Sequence, residues 1–113
     1  MKIILLENMK DKRERTYDIE EVRKSLKSEY YGTLGDPEKL ELDLSLLSHV
    51  FKNVRIEKNN IVGDLHILDT PMGKILKELV DQVQLKTSIR AIGNVNDKNQ
   101  VSNLEIFGFD MIS

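Results

Sequence analysis

The chain has 113 residues, with 17 Lys and Arg against 19 Asp and Glu, two His, no Cys and no Trp. This length fits a single domain, residues 1–113, and a composition of 40% hydrophobic and 32% charged residues reads as a folded globular chain. The net charge of −2 gives no electrostatic reason to expect nucleic acid or an anionic membrane as main partner, and zero cysteines exclude disulfides, zinc–thiolate and iron–sulfur sites and a thiol nucleophile, which fits a reducing compartment.

The apolar run Ile3-Ile4-Leu5-Leu6 is far shorter than the roughly 20 residues of a membrane helix. No small-residue cleavage pattern follows it, so it reads as a first strand and not as a signal peptide. Asn8 to Arg15 carries charges of both signs and reads as an exposed loop. Asp18, with Glu21 three residues on, predicts a capped helix over 19–29, with Ile19, Val22, Leu26 and Tyr30 at helical spacing. Residues 31–45 hold the turn signal Gly35-Asp36-Pro37 and then Leu40, Leu42 and Leu44 alternating with acids, a strand or an extended loop laid on the core.

Ser48 to Glu57 and Ile61 to Leu68, joined by Lys58-Asn59-Asn60, predict a hairpin. Thr70 and Pro71 then open a helix as N-cap and first helical residue. Its apolar stripe includes Met72, Ile75, Leu76 and Leu79, which should pack on one sheet shared by the hairpin and the next strand, 85–92. Asn94 to Gln100 is turn-rich, and Val101 to Phe109 reads as the last strand. The elements predict an α+β fold: a bent, mainly antiparallel sheet or small barrel with two helices.

Little chemistry stands out from the residues alone. The spacing of His49 and His66 matches no metal motif, and Gly73-Lys74 lacks the preceding glycine of a phosphate loop. No metal or cofactor is expected. His66, in mid-strand, reads as a surface residue. Tyr30 and Tyr31, beside the Gly32–Pro37 loop, offer aromatic contact area for a partner or else close the first helix on the core.

Four segments follow one another over residues 13–113. They are Arg15-Thr-Tyr-Asp-Ile-Glu-Glu-Val, then Gly32-Thr-Leu-Gly-Asp-Pro-Glu38, then Ser48-His49-Val50 with the hairpin and Gly63-Asp-Leu-His-Ile-Leu-Asp-Thr-Pro-Met-Gly-Lys-Ile-Leu76, and last Val83-Gln-Leu-Lys-Thr-Ser-Ile-Arg-Ala-Ile-Gly93. Their order and spacing resemble the phage prohead core (capsid-assembly) serine proteases, which share the herpesvirus assemblin type of fold. The resemblance implies that fold, with the nucleophile at Ser88, the arginine that follows it at Arg90 and the acidic residue of the last core strand at Asp110. The family's histidine falls on Asp36. A serine hydroxyl needs a base to become a nucleophile, and a carboxylate with an ordinary pKa of about 4 is a far weaker base than imidazole. Ile89 and Ala91 replace small residues beside the nucleophile. Family members usually continue past the last strand.

The expected role is therefore a phage head-assembly protein of this lineage, catalytically impaired and serving a structural or assembly part in the virion. Its expected partners are capsid or scaffold proteins and further copies of itself, with no nucleic acid and no membrane, in the virion or in host cytoplasm during assembly. The alternative is a working endopeptidase that cleaves scaffold and capsid precursors. In that case Ser88 would attack, His49 would serve as base, Asp110 or Asp36 would orient it, and backbone N–H groups near Arg90 would hold the oxyanion. A binding module unrelated to heads is the third reading.

Overall fold

In a computed structural model the chain is described over residues 1–35 and 40–112. The element order is β1 (Lys2–Leu6), β2 (Thr16–Tyr17), α1 (Ile19–Ser25), β3 (Tyr30–Thr33), β4 (Leu47–Glu57), β5 (Asn60–Ile67), α2 (Pro71–Leu79), β6 (Lys86–Val95) and β7 (Gln100–Ile112). Both helices start as the sequence dictates. The Asp18 carboxylate accepts from Glu20 N, and the Thr70 hydroxyl accepts from Gly73 N ahead of Pro71. Helix α1 stops at Ser25, shorter than expected, because residues 26–29 turn the chain back into β3. There the Tyr30 hydroxyl accepts from Lys27 N.

The strands form two sheets, β1-β5-β4-β3, all antiparallel, and β2-β7-β6, in which β2 runs parallel to β7. This α+β architecture agrees with the sequence, but the expectation of one sheet for the hairpin and strand 85–92 is corrected. Helix α2 and the residues after it carry the chain from β5 to β6. Strand β6 then lies beside β1 without forming a ladder. The sheets meet at two seams. A parallel bridge joins Leu34 to Met111, with Gly35 N donating to Met111 O at 2.8 Å. Across the other seam the Thr87 hydroxyl donates to Leu5 O at 2.9 Å. The strands thus wrap around one core, drawn from both sheets and both helices: Val22, Phe51, Ile61, Leu76, Ile106 and Phe109 are among its buried members.

Three local expectations change. Leu76 is fully buried, but Ile75 is 45% exposed, so α2 docks through a narrower stripe than its sequence offered. Strand β4 shifts register between Lys52 and Arg55, with Asn53 at φ 52°. It buries His49, Val50, Phe51 and Val54, from both faces. The segment 8–15 is not simply an exposed loop, because Met9 and Asp11 are buried within it.

Candidate functional site

Strand β6 places Ser88 and Arg90 on one face, since Ile89 and Ala91 pack toward the core and side chains alternate along a strand. Its register with β7 sets Ser88 opposite Asp110 and Arg90 opposite Gly108. All three polar residues are buried. Arg90 forks onto Asp110, with Nε to Oδ2 at 3.1 Å and Nη2 to Oδ1 at 3.2 Å. Thr33 of β3 adds its backbone N–H at 2.9 Å and its hydroxyl at 3.1 Å to the same Oδ1. The guanidinium also donates to Leu40 O at 3.0 Å and Tyr31 O at 3.5 Å.

A buried carboxylate is tolerable only when it is paired and hydrogen-bonded, and both Asp110 oxygens are taken up in this way. The geometry leaves no room for a side chain at Gly108, where a Cβ would press on Arg90 Nη2 and Tyr31 O. Arg90 and Asp110 therefore act as a clamp between β3, β6 and β7. Neither is a free acid or a free cation. Asp36, at the family's histidine position, lies outside the described residues.

His49 sits on β4 and is fully buried. Its Nε2 lies 2.9 Å from the Phe109 carbonyl oxygen, which can only accept, so Nε2 carries the proton. Nδ1 then accepts from the Ser48 hydroxyl at 2.7 Å. Burial pushes the imidazole pKa below its usual value, against the favourable influence of the Phe109 carbonyl and of Asp110. Both ring nitrogens are thus engaged away from Ser88, and among the described residues no side chain hydrogen-bonds the Ser88 hydroxyl. Gly32 faces this ring, and a methyl group there would overlap His49 Nε2 and the Phe109 carbonyl. His66 is exposed, and no group of His, Asp and Glu suited to a metal occurs among the described residues.

The chain is similar to a solved structure, the bacteriophage T4 capsid assembly protease gp21, at 15% identity, over 99% of this chain and 80% of that one, with a TM-score of 0.77. It has that fold. No family model matches the sequence, and no curated protein matches it.

Around this fold the structure adds residues that the sequence did not single out. Asp11 is a hub. Its carboxylate accepts from Arg13 N at 2.9 Å, Arg15 N at 3.0 Å, Arg15 Nε at 2.8 Å and the Tyr17 hydroxyl at 2.8 Å. Burial alone would raise its pKa, but the bonds from Tyr17, Arg15 and Arg13 outweigh this and hold it below the usual carboxylate value. The alternating Asp11, Arg13, Arg15 and Tyr17 were the available signal. Thr33 and Ser48 stand inside the family-like segments, but nothing in their local pattern marks them as partners of Asp110 and His49. Of the tyrosine pair, Tyr30 is buried edge-on against Phe109, with ring centroids 5.3 Å apart, and only Tyr31 is exposed.

Proposed function

We propose that this chain is a phage head-assembly protein that keeps the capsid-assembly-protease fold without working as a serine protease. It would meet capsid or scaffold proteins, and other copies of itself, in the assembling head. The shared fold supports the assembly setting. The hydrogen bonding of His49 carries the second half of the reading: a histidine that donates to a main-chain carbonyl and accepts from Ser48 has no lone pair left for the Ser88 proton. The engaged oxygens of Asp110 and the aspartate at position 36 support it further.

One observation favours the alternative of an active endopeptidase: Ser88 lines an open groove, where a peptide carbonyl could reach it. Labelling with a fluorophosphonate probe separates the two readings. No adduct is expected on the wild-type chain. An adduct that is present in wild type and lost in Ser88→Ala would overturn the proposal in favour of the protease. Asp36→His tests whether restoring an imidazole at that position restores labelling.

A further inference from the structure

The distal half of β6, residues 91–95, runs on past the groove that Ser88 lines and ends in the exposed turn 96–99. It is a sheet edge. Strand β6 is laddered to β7 alone, and among the described residues no main-chain group of 91–95 bonds outward on the other side. Folded proteins blunt such edges with charge, proline or a bulge. Ala91-Ile92-Gly93-Asn94-Val95 holds no charge and no proline. The ladder does shift register twice here, but both extra residues stand on β7. Phe107 is inserted against Arg90 and Ala91, and Asn103, at φ 51°, against the step from Ile92 to Asn94. The open side of β6 therefore stays regular, with Ile92 43% and Val95 46% exposed.

The side chains say what fits this edge. Ala91, Gly93 and Val95 share the core-facing side: Ala91 packs on the core, and a Cβ at Gly93 would fall 2.7 Å from Val101 Cγ1. Ile92 and Asn94 share the opposite side. The segment thus has the same character in either direction about Gly93, which is what a two-fold contact between identical chains requires. A second copy laid antiparallel across an axis at Gly93 would set its Val95 beside Ala91 and its Asn94 beside Ile92, and the two Ile92 side chains would be diagonal neighbours. Because 91–95 is uncharged, no like charges meet across the axis.

We propose that two copies of this chain pair through their β6 edges, antiparallel about Gly93, so that the sheet β2-β7-β6 continues into its two-fold copy. The inference gives a surface to the self-contact proposed for the assembling head and rests on that part of the reading alone. A pairing this short lies at the small end of specific interfaces, so the dimer is weak and forms as concentration rises.

The test is sedimentation equilibrium of the intact chain from about 1 μM to about 1 mM. Monomer should give way to dimer over that range, and amide hydrogen exchange within 91–95 should slow as the dimer forms. Lysines placed on the edge, in the double variant Ile92→Lys, Val95→Lys, should raise the dimer Kd about tenfold or more. Both side chains are exposed, and an unchanged thermal melt verifies that the variant folds. Ile75→Lys, on the exposed side of α2, should leave the dimer as in wild type. A monomer throughout, exchange that does not slow, a dimer indifferent to the double substitution, or one lost in Ile75→Lys would overturn the proposal. A monomer would leave the non-cleaving role standing, whereas a fluorophosphonate adduct on Ser88 would refute that role and leave the edge pairing standing.

Discussion

At the scale of single residues, the polar interior is organised around two groups that a catalytic reading would place near the oxyanion and behind the base. Arg90 and Asp110 are 6% and 2% exposed as side chains, and each hydrogen-bonds the other, with Thr33, Leu40 and Tyr31 supplying further partners. Such a pair adds little stability compared with an apolar substitute, but removing one member strands the other charge in the interior. Arg90→Met should therefore cost ~3–5 kcal/mol in urea denaturation. A loss under about 1 kcal/mol would contradict the clamp. Arg90→Lys should recover only part of the loss, because a single ammonium cannot fork onto both carboxylate oxygens and also reach Leu40 and Tyr31. The sequence placed Ser88, Arg90 and Asp110 through a family resemblance alone. Nothing in their local pattern says that arginine and aspartate occupy each other, because they sit twenty residues apart and meet only through the β6–β7 register.

At the scale of elements, the parts that were legible are those with both a period and a punctuation mark. The β4–β5 hairpin and α2 have alternating or helical apolar residues bounded by Lys58-Asn59 and by Thr70-Pro71, and both form where those signals put them. Elements were misjudged where burial comes from hydrogen bonding or from a change of register. The loop from Asn8 to Arg15 looked solvated because it is charged, yet Asp11 is buried by bonds from its own neighbours, which no hydropathy pattern records. The bulge in β4 resets the alternation, so a strict two-residue period from Ser48 does not hold past Lys52. Helix α2 gives the clearest quantitative test. Leu76→Ala, at a fully buried position, should cost ~2–5 kcal/mol. Ile75→Ala, at a position 45% exposed, should cost under about 1 kcal/mol. Equal losses at the two sites would contradict the observed docking face.

At the scale of the whole molecule, the two sheets are joined at one seam by the Leu34–Met111 bridge, with Gly35 N donating to Met111 O, and at the other, among the described residues, by the Thr87 hydroxyl. The second seam borders the groove that Ser88 lines. Global stability should follow pH in two steps. His49 is neutral when folded, with its pKa below the usual 6.5, so the unfolded chain takes up the proton first. Its contribution is complete above that value, and stability falls as pH drops below it. Asp11 has its pKa held below 3.8, so its contribution is present above that value and is lost as pH falls further. Urea midpoints in wild type should decline from pH 7 to 5, while His49→Gln, less stable throughout, should be flatter over that range. Equal slopes would contradict a neutral buried His49.

The central claim is the proposal that this fold, with its histidine committed elsewhere, serves as a working part of a phage head. Quantitative mass spectrometry of purified phage particles from infections that express this chain tests it most directly. The account predicts the intact chain, uncleaved and present in several copies per particle. Its absence from mature particles would contradict a resident structural role and would favour a transient assembly factor or a protease.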